Sequence, residues 1–234
     1  MLIRPLGDKA LRVEVGERID EATQARVQAA CAAIEAASLP GVRELVPAYT
    51  TITVHYDPAA IAHAGAPSDD LAGWLGMRLE QVVKSAAKVK TTKPRIVEIP
   101  VCYGGEFGLD LARVAARAKL SPEAVVQRHV KGDYRVALVG FAPGFPYLIG
   151  LPKELATPRH AKPRIVVPAG SVGIAGEQTG IYPFATPGGW NLIGRTAVPL
   201  FDPLAEPPAH LQTGDRVKFR AITADEFAKR EAAR

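Results

Sequence analysis

Apolar and polar positions along this chain repeat with two periods, and the period changes several times. Thr51 to Tyr56 alternates polar and apolar with a period of two, the pattern of a strand with one buried face. Leu2 to Pro5, Ala10 to Val15 and Val42 to Pro47 read as further short strands. Between them Ala22, Val27, Ala30, Ile34 and Ala37 recur at helical spacing. That spacing predicts a helix over 21–37, with Asp20 as its N-cap and Pro40 and Gly41 beyond its end. Leu71, Trp74, Leu75, Leu79, Val82 and Val83 fall on one face of a second helix, for which Ser68 is the predicted cap. The order ββαββα predicts an α+β N-terminal domain over 1–90, an antiparallel sheet with helices on one side.

The stretch from Lys88 to Pro94 is polar and ends in proline, so a boundary is expected there and a second, mainly β domain over 91–234. Arg95 to Val101 reads as a strand, and Leu109 to Ala118 and Ser121 to Val130 as two short helices. The second helix has a good start: Ser121 as cap, Pro122 at the first helical position, Glu123 in the first turn. Tyr134 to Val139, Arg164 to Val167, Val172 to Ala175, Asn191 to Thr196 and Arg216 to Arg220 are short strands separated by turns. That rhythm predicts a closed or nearly closed barrel. The tail from Asp225 is expected to be a frayed helix.

Composition narrows the function classes. With 47% hydrophobic and 23% charged residues among 234, the chain can bury a normal core. A net charge of +5 is spread along the chain. Without a clustered basic face or a recognisable module, nucleic acid is not an expected partner. No apolar run approaches a membrane span, and no signal-peptide core follows Met1. Cys31 and Cys102 lack metal-ligand spacing, and two buried thiols in a cytoplasmic chain are expected. His55, His63, His129, His160 and His210 are scattered, so no metal site is expected.

The candidate chemistry lies between Gly140 and Arg195. Three turn-rich runs, Gly140 to Tyr147, Pro168 to Pro183 and Thr186 to Gly194, interleave glycine and proline with large apolar residues. Such loops are tightly shaped, because glycine is permissive in φ and proline fixes it. Ala169 to Gly173 approximates a nucleophile elbow around Ser171, with Asp202 and His210 following. Alanine at its first position and the glycines after it argue against a hydrolase triad. Gly170 to Gly180 could cradle a phosphate through backbone N–H groups, but lacks the Gly-Lys-Ser/Thr ending of a P-loop. The third possibility is a polar pocket. Gln178 and Thr179 would suit an amide-like substrate, since an amide side chain both donates and accepts. Arg159 and Arg164 could hold a carboxylate or phosphate. His129 could titrate near neutrality. Phe145, Tyr182 and Trp190 would form apolar walls or barrel core.

The same residues carry a family resemblance. Cys102 to Gly108, Gly140 to Tyr147, Pro168 to Pro183, Pro187 to Trp190, Ile193 to Thr196 and Leu211 to Val217 resemble the family of the 5-oxoprolinase B subunit, which also takes in the KipI kinase inhibitor and the allophanate hydrolase subunit 1 domain. The resemblance implies a cyclophilin-like barrel in the second half. It implies a hydrolase that, with ATP as co-substrate, helps convert 5-oxo-L-proline to L-glutamate with release of ADP and phosphate. It further implies that this nucleotide-dependent activity needs two partners, the homologous C subunit of 5-oxoprolinase and its A subunit. The positions matching His129, Phe141 to Tyr147, Arg159, Arg164, Gln178, Thr179, Tyr182 and Trp190 belong to the shared pattern. Asn191 stands where glutamine is expected after Trp190, one methylene shorter. No catalytic residue is assigned. The alternatives are a KipI-like inhibitor of a sensor histidine kinase, with Phe141 to Tyr147 as contact surface, or an allophanate- or urea-processing carboxyltransferase-type subunit.

Overall fold

A computed structural model describes residues 1–86 and 93–233. The chain divides into two compact units, Met1–Lys93 and Pro94–Arg234. The boundary expected between residues 90 and 91 lies outside the described residues, as does most of the polar stretch around it.

The first unit runs β1 (Leu2–Pro5), β2 (Ala10–Glu14), α1 (Glu21–Ala37), β3 (Val42–Ala48), β4 (Thr51–Tyr56), α2 (Pro58–His63) and α3 (Leu71–Ala86). Its four strands form one antiparallel sheet in the order β1-β2-β4-β3. Alternation sets its inner face: Ile52, Val54 and Tyr56 on β4 and Leu11 and Val13 on β2 are buried. Val27, Ala30 and Ile34 of α1 and Leu75 and Leu79 of α3 pack against them. The Asp20 carboxylate accepts from the Thr23 N–H at 2.7 Å and caps α1. Ser38, at φ 44, ends it in the left-handed conformation. Two details depart from the pattern reading. A short helix, α2, follows β4, started by Asp57 and Pro58. The cap of α3 is Asp70, whose carboxylate accepts from the Gly73 N–H at 2.9 Å, and not Ser68 two residues earlier.

The second unit runs β5 (Ile96–Tyr103), α4 (Leu111–Ala118), α5 (Pro122–Lys131), β6 (Tyr134–Val139), β7 (Pro146–Ile149), β8 (Arg164–Val167), β9 (Ser171–Ala175), β10 (Gln178–Ile181), β11 (Thr186–Gly188), β12 (Asn191–Arg195), β13 (Arg216–Ile222) and α6 (Ala224–Ala232). Seven strands close a barrel in the order β10-β7-β6-β13-β5-β12-β9, with β10 paired back to β9. Only the β5–β13 pair among these is parallel. β8 and β11 form a separate two-stranded ribbon. Ile99, Val136, Leu148, Val172, Ile174, Ile181, Ile193 and Val217 fill the barrel, each contributing roughly 1.5–3 kcal/mol on burial. The tail departs from the frayed helix expected. Thr223 caps α6, and Phe227, 2% exposed, packs on Phe107 with ring centroids 4.7 Å apart. An apolar anchor one turn into a capped helix holds it to the barrel.

Candidate functional site

The glycine-rich runs are strands as much as loops. Gln178 to Ile181 and Ser171 to Ala175 are the two arms of a hairpin, β9–β10, with Gly173 opposite Gly180. The Gly170 N–H donates to Tyr182 O at 2.7 Å and the Gly176 N–H to Thr157 O at 2.8 Å. Donors spent this way do not cradle a phosphate, which corrects that reading of the run. Ser171 sits in β9, 2% exposed, and its surroundings are those of a strand residue and not of a nucleophile elbow.

Alternation along the hairpin separates the candidate residues into two sets. Thr179 and Ile181 point with Leu148 into the barrel. Gln178 and Gly180 occupy the outer face, where glycine has a specific job. A Cβ on Gly180 would come within 3.0 Å of Trp190 Cζ3 and 3.1 Å of Phe145 Cε1. Bare backbone here lets aromatic rings lie against the barrel wall. Phe145 meets Tyr182, Trp190 and Tyr147 at centroid separations of 5.1, 5.4 and 4.8 Å, an aromatic cluster backed by Val167 and Leu192. Phe145, Tyr182 and Trp190 are themselves buried. Half-buried Tyr147 packs against the cluster, half-buried Gln178 pairs with Ala175, one of its members, and Arg159 is exposed. Burial raises the Tyr147 and Tyr182 hydroxyl pKa values, and the charge of Arg159 acts on both in the opposite direction. The Arg159 guanidinium thus stands within electrostatic reach of both hydroxyls, while no ion pair among the described residues engages it.

Arg164 and Asn191 are placed elsewhere, in a polar network centred on a residue that pattern reading misses. Asp110, 5% exposed, accepts from Arg164 Nη2 at 2.7 Å and from the Leu192 N–H at 2.7 Å, and its Oδ1 lies 3.1 Å from His160 Nε2. Arg113 Nη1 lies 2.8 Å from His160 Nδ1 and donates to Asn191 Oδ1 at 2.8 Å. Asn191 Nδ2 donates to Pro158 O at 3.0 Å and Ile174 O at 2.9 Å. The Asn191 amide is committed to the fold on both ends. In the sequence Asp110 is the residue before a helix, two positions after the Cys102 to Gly108 run. That position suggests a cap, yet its side chain makes no cap hydrogen bond.

His129 and Thr179 form a third group, inside the barrel. The Tyr103 hydroxyl lies 2.8 Å from His129 Nδ1, and His129 Nε2 lies 3.1 Å from Thr179 Oγ1. Thr179 donates to Gly173 O at 2.9 Å, so its oxygen accepts from a protonated Nε2 and leaves Nδ1 to accept from tyrosine. The imidazole is neutral. Burial drives its pKa from 6.5 to about 3, which corrects the expectation of titration near neutrality.

Two cavities, of about 560 and 290 Å³, lie in the N-terminal unit. The larger is lined by Glu14, Glu17, Arg18, Asp20 and Arg26, charges of both signs. Neither cavity contains a residue that the sequence singles out for chemistry, and the barrel face, where Arg159 and Gln178 meet the aromatic cluster, is the candidate site. Among the described residues no group of three or more His, Cys, Asp or Glu side chains could hold a metal ion. Among them, too, no helix is long and apolar enough to cross a membrane.

Comparison with known proteins adds relatives to this geometry. The family described as carboxyltransferase domain, subdomain C and D, matches residues 1–211. The chain is similar to the B subunit of 5-oxoprolinase from Bacillus subtilis (strain 168), 46% identical over 227 residues, 96% of this chain and 94% of that one. It is 42% identical to the corresponding B subunit from Escherichia coli O157:H7 over 217 residues, 92% of this chain and 93% of that one. Among solved structures, TTHA0988 is similar with a TM-score of 0.76 and 39% identity over 93% of this chain. This chain spans 40% of that longer one.

Proposed function

The chain belongs to the family of the 5-oxoprolinase B subunit, within the wider carboxyltransferase subdomain C and D family, and we propose that it serves as the B subunit of an ATP-dependent 5-oxoprolinase. The observation that carries this is the similarity to two such subunits over more than nine-tenths of either chain. The finer statements are part of the proposal: a hydrolase active with the A and C subunits, in the cytoplasm, built on a cyclophilin-like barrel and a ββαββα domain.

The reaction opens the lactam of 5-oxo-L-proline to L-glutamate, with ATP converted to ADP and phosphate and one water consumed for each bond hydrolysed. An unstrained lactam resists opening, and ATP supplies the driving force. The glycine run of this chain spends its N–H groups within the barrel, so no step is assigned here to the nucleotide. What the barrel face offers is recognition. A lactam presents one N–H and one C=O side by side, and the Gln178 amide is complementary to that pair. The substrate carboxylate calls for a guanidinium, and Arg159 holds one free of any salt bridge to a described carboxylate. The half-buried Tyr147 ring, backed by the buried Trp190, would cover the aliphatic ring carbons. The face supplies binding groups and no nucleophile, which fits a subunit whose site is completed by others.

The test is glutamate release dependent on both ATP and 5-oxoproline. Coexpression with the A and C subunits is expected to give turnover, and the chain alone almost none. In the complex, Arg159→Ala is expected to cost about 10-fold or more in kcat/KM, the loss typical of one charge-assisted contact, and Gln178→Ala, which removes neutral hydrogen bonds, about 3- to 10-fold. Turnover by the chain alone, or two variants with unchanged kinetics, would count against the reading. Inhibition of a histidine kinase by a chain that supports no glutamate release would replace it with the KipI-like alternative.

A further inference from the structure

We propose that Asp110 is a positioning residue, one that sets the placement of Arg159 without touching the substrate. The proposal rests on the barrel face being the substrate site. Residues 157–164 run from Thr157, bridged to Gly176 at the β9–β10 turn, into β8, carrying Arg159 on the way. Arg159 is exposed, and a long side chain on an exposed segment ordinarily samples many rotamers. The backbone either side of it, however, is tied down at several points. Pro158 O accepts from Asn191, and the His160 N–H donates to Gly189 O at 2.8 Å. The His160 ring and the Arg164 guanidinium, one residue and five residues after Arg159, both converge on the single Asp110 carboxylate. Its second oxygen accepts from the Leu192 N–H of β12, the strand that follows Trp190. One buried charge therefore joins the segment bearing the guanidinium to the strand bearing the aromatic wall.

Two features separate this from an ordinary structural ion pair. An aspartate at a helix start normally caps that helix, and Asp110 forgoes the cap. A buried carboxylate is costly unless its lone pairs are filled, and here three donors from two separate segments fill them. The arrangement suits a task that demands rigidity. A guanidinium meant for a carboxylate must sit within a fraction of an ångström of its working position, and a misplacement of about 1 Å can cost on the order of 100-fold in rate.

The test uses the assembled enzyme and a double-mutant cycle between Asp110→Asn and Arg159→Ala. Asparagine keeps the shape and the acceptor for Leu192 while removing the charge that gathers Arg164 and His160. Asp110→Asn is expected to raise the KM for 5-oxoproline about 5- to 10-fold with a smaller change in kcat. The double variant is expected to be no worse than Arg159→Ala alone, because the guanidinium being positioned is gone. Amide hydrogen exchange over 157–164 is expected to quicken in Asp110→Asn with the melting temperature of the barrel little changed. An unchanged KM in Asp110→Asn beside a raised one in Arg159→Ala would overturn the inference and leave the site reading standing. Losses that multiply in the double variant, or exchange over 157–164 that does not quicken, would overturn it equally. An Arg159→Ala enzyme with normal kinetics would instead remove the site reading itself. Should Asp110→Asn fail to fold, His160→Gln keeps the buried ion pair and tests the same direction. An unaltered KM and unaltered exchange in that variant would end the proposal.

Discussion

The most informative single residue is His129, because its chemistry departs from what its sequence position suggests, for an identifiable reason. A histidine in the last turn of a helix is ordinarily stabilised as a cation by the helix carbonyls. Here α5 turns that histidine into the barrel, where Tyr103 and Thr179 saturate both ring nitrogens of the neutral form. Neither partner is near it in sequence, so nothing local announces the environment. The consequence is a pH dependence of stability with a definite sign. The folded pKa is about 3 and the unfolded one 6.5. Above pH 6.5 both states hold a neutral ring, and the full stability is present. As the pH falls between those values the unfolded chain binds a proton that the folded barrel refuses, so stability is lost by up to about 1.4 kcal/mol per unit. Urea unfolding followed by Trp190 fluorescence at about pH 7.5, 6 and 5 is expected to show that slope. In His129→Gln, whose amide can still bridge tyrosine and threonine, the curve should be nearly flat. Parallel curves for the two proteins would mean that other groups set the acid sensitivity.

At the scale of elements, legibility follows how far each signal reaches along the chain. The β4 alternation, the Asp20 cap and the Ser121–Pro122 helix start are complete within a few residues, and the structure contains all three. β7, β10 and β11 read as loops in the sequence because they lie in or beside the turn-rich runs of glycine and proline. Their place in sheets is fixed by backbone pairing to strands elsewhere; Gly180 of β10 makes room for Trp190 and Gly188 of β11 for Tyr182. The candidate site divides in the same way. Gln178, Arg159 and the aromatic residues stand out as polar or bulky groups among glycines. Asp110 does not, since its partners Arg164 and Leu192 lie 54 and 82 positions away. α6 is the clearest case of a tertiary contact overriding a local expectation. Its composition is polar, but Phe227 inserts between Phe107 and the Arg195 guanidinium, whose carbon lies 5.5 Å from the ring centroid. Phe227→Ala is expected to destabilise the barrel unit by about 3 kcal/mol, the low end for a buried phenylalanine because the site lies at the periphery. Urea titration checks the magnitude. Limited proteolysis checks the cause: cleavage after residue 222 should accelerate, and a tail that stays protected would mean that the Arg220–Glu226 pair, at 2.8 Å, and not the ring, holds it.

The largest hydrophobic clusters of the two units have no described residue in common. One gathers Leu11, Val27, Ile34, Ile52 and Leu79; the other gathers Ile99, Val136, Ile174, Ile193 and Val217. A core is the cooperative unit of unfolding, because removing one member weakens the packing of the others. The sequence also supplies a reporter for each, since Trp74 belongs to the first unit and Trp190 to the second, and the chain contains two tryptophans. Trp74→Phe and Trp190→Phe therefore give two proteins, each reading one unit by fluorescence. Ile52→Ala removes a fully buried side chain from the N-terminal core and is expected to cost about 2–5 kcal/mol there. The midpoint reported by Trp74 should fall accordingly, while that reported by Trp190 should move by less than about 0.5 kcal/mol, the limit of additivity for independent sites. Ile174→Ala should do the reverse. If both reporters shift together in both variants, the two cores unfold as one unit. Changes in the N-terminal core would then reach the substrate face through the stability of the whole chain.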